Sequence, residues 1–158
     1  MSAEPAPAAR SIAGAHRGGD VLTRWVSFDL AGQPYGIAIL NVMEVLAAAT
    51  IEPVPGAPPA VLGVINLRGS IVTVVDLRQK LGLPVVADSA CIIIVTHGGQ
   101  PVGLRVDHVA EVLNLAAQSI KPPPATHVAA SQSAVTGIVS RQGRLLTLID
   151  PAALLDGA

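Results

Sequence analysis

The sequence contains a copy of itself. Residues 33–46, QPYGIAILNVMEVL, lie over residues 100–113, QPVGLRVDHVAEVL, with seven of fourteen positions identical. Ile51-Glu52-Pro53-Val54-Pro55 then matches Ile120-Lys121-Pro122-Pro123-Pro124, and residues 63–76, GVINLRGSIVTVVD, match 137–150, GIVSRQGRLLTLID. Three matches in the same order at nearly constant spacing point to duplication of a unit of about 60 residues. A unit that small buries only about 60% of its extended-chain surface and is marginal alone. Two copies packed against each other share an apolar core and remove that weakness.

Composition agrees with such a core and narrows the function. The 158 residues are 51% hydrophobic and 13% charged, about half the usual charged share, which excludes disorder as the general state. A spanning helix needs about 20 consecutive apolar residues. The long apolar runs here, such as Cys91-Ile92-Ile93-Ile94-Val95, are strand-sized and bounded by polar or turn residues, so no direct membrane insertion is expected. A formal net charge of −1 leaves no basic footprint for nucleic acid. The lone Cys91 allows no internal disulfide and, with His16, His97, His108 and His127, no zinc-ligand spacing; no metal or cofactor is expected, and a reducing cytoplasm is the natural compartment.

Residues 1–20 are rich in Ala, Pro, Gly and Ser without a period and predict a disordered tail lacking the apolar region of a secretion signal. Residues 24–30, RWVSFDL, alternate as a half-buried strand, 31–34 turn, and 35–39 return. Short β-rich runs follow at 61–67, 71–77, 90–96, 102–106, 109–115, 135–140 and 145–149, mostly separated by Gly, Pro, Asn or Asp. Asp76 caps a predicted short helix ending near Gly82, and Asp150-Pro151 opens another. The expected fold is all-β: two pseudo-symmetric five-stranded barrels with short connecting and C-terminal helices. The first barrel is expected over 21–86 and the second, with the terminal helix, over 87–158, strands being free to exchange between them. The crevice between barrels is a natural groove.

Residues that serve the fold should recur in both copies, and a one-sided function should break the likeness. Arg68 in the first ribbon turn becomes Gln142 in the second, losing a fixed charge with five rigidly placed donors. Arg68 either pairs with a local carboxylate (Glu44, Asp76 or Asp107) or serves a partner. Glu44 and Glu111 are equivalent; Glu111 reads as solvent-facing, while for Glu44 that reading competes with a partner contact. The proline-rich stretch 53–59 is a stiff connection that could also dock something. HExxH, GxSxG, P-loop and GxGxxG patterns are all missing from the sequence, and Cys91 opens an isoleucine-rich strand as an inert buried thiol would. No catalytic residue is expected.

Tyr35-Gly36-Ile37 followed by Val42, Glu44 and Val45, then residues 63–69, GVINLRG, and 74–78, VVDLR, resemble the CheW chemotaxis coupling-protein family. The second half continues the likeness through Val102-Gly103-Leu104, Val106-Asp107, Val109, Glu111-Val112-Leu113 and Gly137, so that it spans 24–155. The resemblance implies a double five-stranded barrel without catalytic activity. It implies a cytoplasmic adaptor, associated with membrane receptor arrays, that links the hairpin tips of methyl-accepting chemoreceptors to the regulatory domain of a CheA-type histidine kinase. Receptor-binding positions carried over from the family are Val42, Glu44, Gly63, Arg68, Gly103 and Val112, the glycines admitting close approach of a partner helix. Kinase contacts are expected from exposed barrel ends without residue assignment. Ala38, where many members carry an acid, and Ala47-Ala48-Ala49 depart from the pattern and could alter which receptor is recognised. A coupling protein of another chemosensory pathway, such as pilus motility, and a small-ligand β-barrel are the alternatives.

Overall fold

The structure, a computed structural model, describes residues 15–17, 20–84, 91–123 and 134–156. Its strands are β1 (Ala15–Arg17), β2 (Asp20–Leu30), β3 (Gln33–Ala38), β4 (Val42–Leu46), β5 (Val61–Leu67), β6 (Ser70–Asp76), β7 (Cys91–His97), β8 (Gln100–Val106), β9 (His108–Ala116), β10 (Val135–Arg141) and β11 (Arg144–Ile149). The helices α1 (Leu77–Lys80) and α2 (Pro151–Asp156) are short. Both begin where an aspartate caps them: Arg78 N–H donates to Asp76 Oδ1 at 3.1 Å, and Ala152 N–H to Asp150 Oδ1 at 3.1 Å.

The strands form two sheets of like topology. In barrel I the order is β9-β2-β3-β11-β10, with β1 adding a sixth strand beside the start of β2; in barrel II it is β4-β7-β8-β6-β5. The repeat explains the match, because β2–β3 corresponds to β7–β8, β4 to β9, and β5–β6 to β10–β11. Each sheet nevertheless takes its hairpin from one copy and its other three strands from the other. The seams are β4 against β7 and β6 parallel to β8 in barrel II, β9 against β2 and β11 parallel to β3 in barrel I. Each sheet thus draws strands from both sides of residues 86 and 87, an exchange that the contiguous division left open, and the boundary itself falls outside the described residues.

Among the described residues, one backbone bridge closes each sheet. Glu52, downstream of β4, exchanges two 2.8 Å hydrogen bonds with Val64 of β5. Lys121 and Ile138 do the same in barrel I at 2.9 and 2.8 Å. Three apolar clusters follow. Ile65, Val72, Val74, Ile92 and Ile94 fill barrel II, and Leu113, Leu115, Val139, Leu146 and Leu148 fill barrel I with Trp25 against them. Phe28, Leu30, Ile37, Ile93, Val95 and Leu104, among others, form a shared core between the sheets.

Strands β2 and β7 divide these compartments. Trp25 of β2 and Ile92 and Ile94 of β7 face their own barrels, whereas Phe28, Leu30, Ile93 and Val95 face the shared core. The half-buried strand expected at 24–30 is thus covered on both sides, which alternation alone does not reveal. Two further expectations are corrected. The first turn is tighter than 31–34, with only Ala31 and Gly32 in the left-handed region, so Gln33 and Pro34 already belong to β3. Part of the expected tail is strand β1, paired with Asp20–Leu22; residues 1–14, 18 and 19 lie outside the described residues.

Candidate functional site

The chain changes barrels twice. It leaves β3 through one 3₁₀ turn (Ile39–Asn41) to enter β4, and it leaves β8 through Asp107 alone to enter β9. The crossing strands β4 and β9 carry the sequence-nominated Val42, Glu44 and Val112. Each has a bulge: pairing jumps from Val42↔Val95 to Glu44↔Ile94, and from Val109↔Phe28 to Glu111↔Ser27. The extra residue in β4 is Met43, 55% exposed, and the bulge keeps Glu44 half-buried beside it.

Arg68 occupies the first position of the two-residue turn joining β5 and β6, at φ 52°. Its guanidinium reaches across the closing edge of barrel II and binds Glu44 in a fork, Nη1 to Oε1 at 2.7 Å and Nη2 to Oε2 at 3.0 Å. Glu44 holds the guanidinium proton still more firmly than usual, through its hydrogen bonds first and its charge second. The Arg68 side chain remains 72% exposed and that of Glu44 26%. An exposed pair of this kind adds little to stability; it does present a planar, oriented charge pair. The fork answers the alternatives left open for Arg68: its local carboxylate is Glu44, whereas Asp76 is paired with Arg105 at 3.2 Å and Asp107 with Arg78.

The other nominated residues separate by role. Val42 is half-buried and packs against the shared core, and Val112 is 50% exposed on β9 of the other barrel. Gly63 and Gly103 are buried and closely approached by other parts of the chain. A Cβ on Gly63, at φ 152°, would stand 2.0 Å from the Glu52 carbonyl oxygen; glycine there permits the closing bridge. A Cβ on Gly103 would meet Ile92 at 2.9 Å and Val74 at 3.2 Å, inside barrel II. Both glycines serve the barrel wall.

Sequence reasoning missed the exposed aliphatic residues around the fork and at the turns. Leu40 is 67% exposed in the crossover, and Val45 follows Glu44 with its side chain out. Ile71 and Leu145, at equivalent places just after the β5–β6 and β10–β11 turns, are 67% and 57% exposed. The repeat held a signal for the last two, since a large apolar residue occupies the solvent phase of the ribbon in both copies. Beside the fork, an open groove of about 400 Å³ runs between the segment after β4 and strand β5, lined by Leu46, Ala48, Ala49, Glu52, Ile65 and Leu67.

A charged joint secures the second crossover. Arg78 of α1 binds Asp107 through one guanidinium edge, Nε donating to Oδ1 at 2.8 Å and Nη2 to Oδ2, and the Ala31 N–H of the β2–β3 turn donates to Asp107 Oδ2 at 2.9 Å. The Arg78 hydrogen bonds hold the Asp107 carboxyl below the usual aspartate range, against the opposing effect of its partial burial. At the first crossover, Leu40 stands where Asp107 stands in the second copy. Among the described residues no group of three His, Cys, Asp or Glu side chains could hold a metal, and no helix is long and apolar enough to cross a membrane.

Comparison with known proteins gives concordant results. The family model described as CheW-like domain matches residues 24–158. A chemotaxis protein CheW of Klebsiella aerogenes is 35% identical over 130 residues, covering 81% of this chain and 78% of that protein. One of Bacillus subtilis is 33% identical over 135 residues, covering 84% and 86%. Among solved structures, the scaffolding protein TtCheW of Thermoanaerobacter tengcongensis superposes with a TM-score of 0.75 at 37% identity, covering 83% of this chain and 90% of the other.

Proposed function

This chain belongs to the CheW-like domain family, and on that premise we propose that it is a non-enzymatic chemotaxis adaptor, joining the cytoplasmic hairpin tip of methyl-accepting receptors to the regulatory domain of a CheA-type kinase. The Glu44–Arg68 fork carries this reading. It is bidentate, reaches into solvent through Arg68 and is present on one barrel only, where a purely structural tie would be expected in both. Exposed Met43 and Val45 flank Glu44 along β4, and the combination of a fixed charge pair with dry aliphatic contacts suits the face of an amphipathic helix. Val112 supplies an equivalent apolar contact from β9. Gly63 and Gly103 act indirectly by shaping the barrel that holds the fork.

The kinase would meet a different surface. Ile71 and Leu145 place one large exposed aliphatic side chain on each barrel, away from the buried cores, and a regulatory domain of like fold would bury them. The work of the protein would be done in the cytoplasm, by contact alone.

The test is capture of both partners by the full chain. A receptor hairpin fragment and a CheA regulatory domain should each bind, and should bind together. Arg68→Gln should weaken receptor capture while leaving kinase capture intact, and Ile71→Asp should do the reverse. Capture of neither partner, or loss of both through a single substitution in a folded protein, contradicts the proposal.

A further inference from the structure

The two barrels share a topology, but their mouths differ. In barrel II, fully buried Ile94 fills the interior below Glu44, and Arg68 covers that carboxylate. The corresponding residues of barrel I are Ser27, Glu111 and Gln142, and Leu67 and Ser70 give way to Arg141 and Arg144. The result is a cavity of about 160 Å³ at the mouth of barrel I, lined by Ser27, Glu111, Leu113, Arg141, Arg144 and Leu146 among others.

Ser27 contributes space. Its hydroxyl donates to the Glu111 carbonyl at 3.0 Å and accepts from the Glu111 N–H at 3.2 Å, so it is occupied by the bulged strand and leaves empty the volume that Ile94 takes in the other barrel. The arginines contribute charge. They stand directly opposite each other across the Gln142–Gly143 turn, a like-charge pair that is unfavourable in a β-ribbon unless an anion sits between them. Arg144 donates one N–H to the Gly32 carbonyl at 2.5 Å, which leaves other donors available. Half-buried Arg141 has no side-chain partner among the described residues. Glu111 lines the same cavity without an ion pair to either, so the mouth holds two positive charges against one negative.

We propose that the mouth of barrel I binds a carboxylate carried on an apolar body. The guanidiniums match a planar carboxylate, and Leu113 and Leu146, buried in the core of barrel I, form the floor on which an apolar body would rest. The carboxylate belongs either to a small organic acid or to an acidic side chain of a protein partner.

The test is a titration of the isotope-labelled full chain with sodium benzoate, against sodium chloride at matched ionic strength. Saturable amide shifts are expected at Ser27, Gly143 and Leu146. Arg141→Gln should weaken the fitted affinity roughly tenfold, Ser27→Ile should abolish binding by filling the cavity, and Lys80→Gln on α1, outside the cavity lining, should leave benzoate binding unchanged. A capped glutamate peptide and its glutamine analogue separate the two sources. Tighter binding of the glutamate peptide than of benzoate identifies a partner's side chain, and the reverse order identifies a free acid. Shifts that never saturate with either probe, that survive Arg141→Gln, or that inorganic phosphate reproduces equally, overturn the proposal.

Discussion

Three glycines in barrel II show how one residue type answers different constraints. Gly63 admits a neighbouring backbone, Gly103 admits side-chain ends, and Gly69 has open space around it and needs only a positive φ of 87°. Alanine substitutions should therefore rank in that order. Gly63→Ala, which must break the Glu52–Val64 bridge, should cost about 2–4 kcal/mol; Gly69→Ala should cost about 1 kcal/mol. Urea midpoints at unchanged slope measure both. A Gly63→Ala variant as stable as wild type would mean the bridge does not close the barrel. The glycines were legible in the sequence as required positions. What each one accommodates was not, because the approaching atoms come from Glu52, Ile92 and Val74, and a close approach across a barrel leaves no periodic trace. Arg68 was legible for the opposite reason: its counterpart is Gln142, and the broken likeness marked it.

Single elements are fixed by local chemistry, and their partners are not. Alternation and turn residues locate most of the strands, and Asp76 and Asp150 locate both helices. Ala31 hid a two-residue turn because alanine seldom takes φ 53°. No local signal could say that β4 pairs with a strand of the other copy. At this scale the Asp107 joint is the telling element, binding α1, the β8–β9 crossover and the β2–β3 turn. Because Asp107 loses its proton more readily in the folded protein than at its ordinary value of 3.8, its stabilising effect is present above that value and fades as the pH falls below it. Melting temperatures followed from neutral pH down to about pH 2 should show an acid-limb decline, and Asp107→Asn should flatten that decline. An identical acid limb in the variant would remove Asp107 from the account.

Across the whole molecule, exchange of hairpins between copies means that neither half owns a complete sheet. The shared core of Phe28, Leu30, Ile37, Ile93, Val95 and Leu104 also draws on both. A fragment ending at residue 86 should accordingly show no cooperative unfolding transition, and mixing it with residues 87–158 should restore one. Cooperative unfolding of the first fragment alone would contradict the exchange. The duplication made this architecture readable in outline, since two copies of a marginal unit must pack together. It could not show every exposed apolar residue: Leu40 and Met43 look like ordinary core residues until the sheets are assembled.

The adaptor reading rests on a fork that presents charge without holding the fold together. Affinity of the full chain for a receptor hairpin fragment, measured at equilibrium for wild type, Glu44→Gln and Arg68→Gln with unfolding midpoints recorded alongside, tests it directly. Each substitution should weaken binding by about tenfold or more and leave the unfolding midpoint nearly unchanged. Wild-type affinity in both folded variants would contradict the account.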